Sequence, residues 1–591
     1  MSDHRFDVAI VGDSLGAISC AVALGRYAPD LRVVLVTNAD WIGGQITNQG
    51  VPALDEHEYV ERSGTTTASY HDFRRSVREH YRRRYNVPPI MTESVLGADM
   101  PLNPGDAWVS RLAFDPRVGV EILEALLPAD LQRVRGQVIG ADVRGERIHA
   151  LTLVTDDGER TLKAAYYIDA TDTGDLLPLT GTAYVTGAES RSDTGEADAP
   201  LEARPDEVQS FTFPFAVAFC AGEDHTIAEP EGYVGFRDEQ PYTLAPLGHD
   251  GQPVRYRMFK NSDTDNLPFW SYRRVHVGAL LGGQDISLIN WVSNDYFGGD
   301  ILNTSPTERQ RHLNAARRLS LGFLRWLQTE CPRDDGGFGY PEFKLCPEVM
   351  GTSDGLSQQP YIRESRRIRA LCRVVASDIS TSANDGARAR HFADSGGIGW
   401  YAMDLHPCVG NRNASRYAPT RPFQIPLGAL IPADTVNLVA ACKNIGTTHL
   451  TNGAYRLHPV EWAIGEMAGT LAAYSVRHAL TPADVWHSPD HLTGVQAALI
   501  ASGCPVAWAI DVPYRTPDGT INPLFAPTQR LLMRDIIRRD SQRWHHLGIL
   551  PDAPIGDDLD MARVRELVAD ARPDHTWREI CHLLAESRKI R

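Results

Sequence analysis

Phe6-Asp-Val-Ala-Ile-Val-Gly-Asp-Ser-Leu-Gly-Ala-Ile-Ser-Cys-Ala-Val-Ala-Leu-Gly25 is an apolar run, a short polar interruption at Gly12–Ser14, and then a train of small residues. Such a pattern predicts a buried strand, a tight turn and a helix that packs closely on its neighbours. A second apolar run, Arg32-Val-Val-Leu-Val-Thr37, stands where the next parallel strand of a βαβ unit belongs. Gly12 permits the sharp turn, and the first amides of the helix, at Ser14 and Leu15, face outward with the positive end of the helix dipole. The unit therefore predicts a site for the pyrophosphate of a dinucleotide. It departs from the G-x-G-x-x-G pattern at Ser14 and Ala17, both small enough to keep strand and helix close. It departs further at Thr37, where an acidic residue normally binds the ribose; Asn38 or Asp40 is the available replacement.

Four further segments extend this reading along the chain. Trp41-Ile-Gly-Gly-Gln-Ile-Thr-Asn-Gln-Gly50 follows the second strand, and Tyr166-Tyr-Ile-Asp-Ala-Thr-Asp-Thr-Gly-Asp175 comes much later. Asn437-Leu-Val-Ala-Ala-Cys-Lys-Asn-Ile-Gly446 precedes a proline-entered helix, His458-Pro-Val-Glu-Trp-Ala-Ile-Gly-Glu-Met-Ala-Gly469. With Arg363-Glu-Ser-Arg-Arg-Ile368 and Thr447-Thr-His-Leu-Thr-Asn-Gly-Ala-Tyr-Arg-Leu-His-Pro459, these segments resemble the bacterial FAD-dependent oxidoreductase family, which has the glutathione-reductase type of FAD fold and is related to fumarate reductase flavoproteins. The resemblance runs from about residue 5 to residue 475. It implies FAD as cofactor and an α/β fold: a Rossmann-like FAD-binding domain, an inserted α+β substrate domain and a helical C-terminal region.

The resemblance also implies contacts. Gly12, Ser14 and Leu15 would face the pyrophosphate, and Thr37 and Asn38 the ribose. Gly43, Gly44 and Gln45 would lie at the flavin end, and Val138 at the adenine. Ala170, Asp172 and Gly174 match a second glycine-containing strand end, with Asp172 in place of the commoner glycine. Asn444 and Gly446 would lie near the ribityl chain. The helix expected to begin around Val460 and Glu461 would aim its amides at the flavin N1–C2=O edge.

Composition and length agree with a soluble enzyme of several domains. The chain has 591 residues, 42% of them hydrophobic. No apolar run approaches the roughly 20 residues that span a bilayer, and the start lacks the layout of a signal peptide. A net charge of −16 argues against nucleic acid or an anionic membrane as partner, so a cytoplasmic location is expected. The nine cysteines are dispersed, with no Cys-x-x-Cys pair and no zinc spacing. That excludes the redox-active cysteine pair of a disulfide reductase, and no metal is expected.

The expected organisation is a discontinuous FAD domain from residues 1–180 and 345–480, a substrate domain from 181–344 and a helical region from 481–591. The stretch Glu189 to Glu207 reads as a mobile surface loop. Helices are expected over Tyr70 to Tyr85, Pro116 to Leu127, Pro306 to Thr329 and Val495 to Gly503, and from Pro523 to Arg539. The arginines of the first, Arg74, Arg75, Arg78 and Arg82 to Arg84, read as a solvated face. The segment Thr516 to Pro523 and its following helix are similar to a surface-layer homology module, and are read as a cap or an oligomer contact.

The chemistry expected is hydride transfer from a small organic substrate (amine, alcohol or activated C–C bond) to flavin N5, with oxygen or an electron carrier as acceptor. A flavin monooxygenase is the alternative. Homodimerisation is left open. Proton transfer beside a flavin calls for a group such as histidine, and a substrate carboxylate calls for arginine. His449, His406, Arg456 and Arg363 are the candidates.

Overall fold

The computed structural model describes residues 5–248 and 252–586. Its central element is a seven-stranded sheet. Five strands run parallel in the order Gln132–Arg135, Val33–Thr37, Arg5–Val11, Gly158–Asp169 and Leu438–Ala440. Val8, Ala9 and Ile10 on the first strand and Val34 and Leu35 on the second are fully buried, as a parallel sheet covered on both faces demands. The strand Gly158–Asp169 serves two layers. Its second half pairs in parallel with Arg5–Val11, and its first half runs antiparallel to Arg147–Thr155, which continues to Gln137–Arg144.

Helix Leu15–Tyr27 lies directly against helix His458–His478. Small residues on both make the approach close. A Cβ on Gly465 would stand 2.2 Å from the Gly16 carbonyl oxygen, and one on Gly469 would stand 2.8 Å from that of Cys20. The later helix begins at His458, two residues before the expected Val460, with Leu457 as its cap and Pro459 in its first turn.

The intervening chain builds a second core. A four-stranded antiparallel sheet (Arg274–His276, Ile286–Ile289, Phe215–Phe219, Phe343–Leu345) contributes to a cluster shared with helix Pro306–Thr329. The cluster is rich in stacked and edge-on aromatic pairs such as Trp270 with Phe343. A third core gathers Ala507 to Leu584 around Trp577 and Trp544. Trp544 packs on the backbone at Gly386, so the C-terminal region is seated on the main body.

Three local readings are corrected. The stretch from Glu189 to Glu207 is no simple surface loop: it carries helix Arg191–Thr194 and buries the carboxyl groups of Glu189, Glu196 and Glu207. The arginine-rich helix, Ala68–Tyr85, is split. Arg75 and Arg83 are exposed, whereas Arg74 is buried between Glu56 and Glu61, and Arg78 is held by Glu61 at 2.7 Å. The helix after Pro523 spans Phe525–Leu532 and stops well before Arg539. The partners that explain the first two corrections, among them Arg367, Thr448 and Asn411 for the glutamates and Glu56 and Glu61 for the arginines, lie in other segments, so local sequence pattern alone does not reveal them.

Candidate functional site

At the C-terminal ends of the parallel strands lies a cleft of about 680 Å³, lined by Gly12, Asn38, Val138, Asp172, Gln49, Ile362 and Arg366 among others. This is where an open α/β sheet binds its ligand. Gly12 has φ 130°, and a Cβ there would stand 2.1 Å from the Ala170 carbonyl oxygen. Ser14 caps the helix: its hydroxyl accepts from the Ala17 amide at 3.2 Å and donates to the Ala170 carbonyl at 2.7 Å. Among the described residues no acceptor takes the Ser14 or Leu15 amide, so both remain open to a ligand. Asp40 turns outward to pair with Arg135. Asn38 is therefore the residue left in the cleft where the ribose acid is missing.

Beneath the turn lies a buried charge cluster. The Lys443 ammonium pairs with Asp172 and, at 3.2 Å, with Glu461. Glu461 also accepts from the Gly16 amide at 3.3 Å and from Gln45, whose side-chain amide also donates to the Arg456 carbonyl at 2.9 Å. Asp13 accepts from the Asn48 side chain. Burial, with Asp172 adding to it, pushes its carboxyl up to about 7.

A smaller cavity of about 110 Å³ lies on the far side of the extended segment 360–363. Along that segment alternate residues point opposite ways: Pro360 and Ile362 line the large cleft, Tyr361 and Arg363 the small cavity. Three guanidinium groups enter the cavity, those of Arg273, Arg363 and Arg456, each nearly fully buried. Arg363 pairs with Asp295 at 2.8 Å, Arg273 with Asp55 at 3.3 Å and Arg456 with Asp404 at 3.5 Å. Arg456 also donates to the Tyr361 hydroxyl at 3.1 Å. The Nε atoms of all three arginines lack a partner among the described residues.

The cavity also holds His406, whose Nδ1 lies 2.6 Å from the Asp295 carboxylate. Burial alone would raise the Asp295 carboxyl, but Arg363 and His406 override it and hold it down at about 2. The aspartate is thus a fixed anion that orients the imidazole, whose Nε2 faces the Asp404 carboxylate at 3.6 Å.

The structure brings together three of the four proposed catalytic residues, His406, Arg363 and Arg456. His449 faces a different hollow, beside Glu189 and Glu207, and its Nδ1 lies 3.1 Å from Glu364. Of the cofactor-binding expectations, Gly12, Asn38, Val138 and Asp172 line the cleft. Ser14, Leu15, Ala170 and Gly174 shape the turns around it, and Gly43, Gly44 and Gln45 lie directly beside. Thr37 is buried, accepting from the Gly136 amide. Asn444 and Gly446 do not reach the cleft. The Asn444 side chain donates to the Asp169 carbonyl, and the Gly446 amide to that of Ala429, so both tie strand ends together. Val460 and Glu461 are fully buried at the helix start. Sequence reading missed Lys443, Asp295, Arg273 and Asp404; of these, Lys443 sits inside a motif that drew notice and Asp404 in the stretch Trp400 to Pro407 that carries His406.

A cleft at the strand ends thus lies beside a smaller polar cavity, the arrangement of a nucleotide-binding α/β protein. The chain belongs to the FAD dependent oxidoreductase family, whose model matches residues 7–499. No curated protein sequence matches it. Solved structures similar to it include an L-proline dehydrogenase from P. horikoshii (17% identity, 32% of this chain and 25% of that one, TM-score 0.16). Others are p-nitrophenol 4-monooxygenase PnpA from Pseudomonas putida DLL-E4 (11%, 90% and 97%, 0.31) and a glycerol-3-phosphate dehydrogenase from Bacillus halodurans complexed with FAD (10%, 54% and 53%, 0.24). The chain spans a quarter of the first of these and about half of the third.

The residues present fit FAD. Gly12 leaves the strand end bare, and the Ser14 and Leu15 amides are open to a pyrophosphate. The buried Gln45 Oε1 and Asn48 Oδ1 have no partner among the described residues. Asp172, which stands in place of the commoner glycine, pairs with Lys443, and burial pushes the Asp13 carboxyl up to about 7, so both acids are compatible with an anionic ligand.

Proposed function

We propose that the protein oxidises a small polar organic substrate by hydride transfer to its flavin, in the manner of an oxidase or dehydrogenase. The observation that carries this reading is the His406–Asp295 pair, which presents an oriented imidazole to a cavity next to the start of helix His458–His478. FAD, when bound, supplies the hydride acceptor. The chain does the rest. His406 Nε2 takes the proton of the substrate hydroxyl or amine as its C–H bond is broken, and Asp295 stabilises the imidazolium so formed. Arg363 and Arg456 hold an oxygen substituent of the substrate, and Asp404 and Asp55 keep the chamber electrically balanced. A volume of about 110 Å³ admits only a few heavy atoms. Oxygen or an electron-carrier protein then reoxidises the flavin.

Anaerobic mixing of the FAD-loaded enzyme with small alcohols, amines, hydroxy acids and amino acids, followed by flavin bleaching, tests the reading. His406→Asn is expected to slow bleaching by the substrate about 10²- to 10⁴-fold while leaving FAD bound. Bleaching by NAD(P)H, with none by any organic reductant, would overturn it in favour of a monooxygenase.

A further inference from the structure

We propose that Glu207, Cys408 and His449 form a zinc site, separate from the flavin cleft and from the cavity that holds His406. Their donor atoms all lie within 4.8 Å of one another. Cys408 Sγ is 3.8 Å from His449 Nε2. A tetrahedral zinc ion with ordinary Zn–S and Zn–N bonds sets those two atoms about 3.5 Å apart, so a contraction of a few tenths of an ångström suffices for that pair, and Glu207 closes on the ion from within 4.8 Å.

The supporting shell has the form that metal ligands use. His449 Nδ1 is held by the Glu364 carboxylate, which fixes the ring and leaves Nε2 pointing at the sulfur. The Asn411 side chain donates to Glu207 at 2.7 Å, and Asn411 itself closes a turn on Cys408. The fourth position opens on a hollow of about 250 Å³, lined by Glu189, Glu196, Asp198 and His449, with room for water.

Charge gives an independent reason. Glu189, Glu196, Glu207 and Glu364 are all buried here, and two guanidinium groups face these four carboxyl groups: Arg367, bonded to Glu364 and Glu189, and Arg204, paired with Glu207 at 2.9 Å. A divalent cation supplies the missing positive charge. Its binding displaces the thiol proton of Cys408 and makes the sulfur a thiolate ligand. Thiolate and imidazole together select zinc over magnesium or calcium. The ion would clamp the turn at Cys408 to helix His449–Tyr455.

Zinc analysis by mass spectrometry on the full-length FAD-loaded protein, after dialysis against a weak chelator, tests the site, with zinc-edge X-ray absorption on the same sample. The expected result is stoichiometric zinc with one sulfur scatterer at about 2.3 Å and nitrogen or oxygen at about 2.0–2.2 Å. Cys408→Ser is expected to lose the sulfur scatterer and to weaken zinc binding at least about tenfold, with FAD content reporting a correct fold. Should that variant fail to retain FAD, Glu207→Gln gives the same reading from the rim of the site. Protein that holds FAD but no zinc, zinc without sulfur, or zinc held equally by both variants would each overturn the proposal.

Discussion

Asp13 shows how a single residue adapts a nucleotide turn. Its neighbours are Asp172, Lys443 and Asn48, and burial with Asp172 raises its carboxyl to about 7. Below that pH it is neutral and tolerates a pyrophosphate nearby. Above it the carboxylate repels the ligand, so FAD affinity is lost as pH rises through the raised value. Titration of apoprotein with FAD is expected to show binding about tenfold weaker at about pH 8.5 than at about pH 6, with a proton taken up on binding near neutrality. Asp13→Asn is expected to flatten this dependence; an equally steep profile in the variant would assign it to another group. Gly12 gives a second test. Gly12→Ala places its Cβ 2.1 Å from the Ala170 carbonyl oxygen and in a backbone conformation costly to alanine, so protein isolated without FAD is expected. Gly12 was legible in the sequence because a turn glycine between a strand and a helix has a local cause. Asp295 and Lys443 were not, since the partners that give them meaning, His406 and Asp172, lie 111 and 271 residues away.

Among the elements, the pair Leu15–Tyr27 and His458–His478 is the tightest fit. Its cause is small residues on both faces, and its weakness follows from the same fact. Gly465→Val has no space to enter, with Ser19 Oγ 2.0 Å and the Gly16 carbonyl oxygen 2.2 Å from the Cβ position. Overpacking of this kind costs about 1–3 kcal/mol or more, and here it parts the helix that carries Glu461 from the nucleotide turn. Thermal unfolding followed by tryptophan fluorescence is expected to show a lowered midpoint, with flavin released ahead of it. The helices over Pro306–Thr329, Pro116–Leu126 and Ala68–Tyr85 were legible from periodicity and capping residues. The short strands Arg274–His276 and Ile286–Ile289 were not: the first has only three residues and pairs with the second alone, and the second is anchored by Phe215–Phe219, distant in sequence.

At the scale of the whole molecule, the family model ends at residue 499, while the C-terminal region has a core of its own pressed on residues 386–392. The Arg388 guanidinium donates to carbonyls of Trp508, His546 and Leu547, so the region is tied down as well as packed. Truncation after residue 503 is expected to uncover Trp508's seat on Phe423 and to yield protein that aggregates on heating at a lower temperature than the full chain, as light scattering reports. The likeness of Thr516 to Pro523 to a wall-binding module has no counterpart in this packing role, because that segment is a short turn beside Tyr514.

The nucleotide turn and the helix that completes it are separated by almost the whole FAD domain: the Gly16 amide and its acceptor Glu461 lie 445 residues apart. On a ribosome adding about 5–20 residues per second, the first strand waits roughly 20–90 s for that partner to be made. Through this interval the newborn chain cannot close its cofactor cleft. One edge of strand Gly158–Asp169 and the small-residue face of helix Leu15–Tyr27 stand uncovered until Leu438–Ala440 and His458–His478 are made, which makes synthesis the period of greatest aggregation risk and makes capture of FAD one of the last events in the birth of the protein.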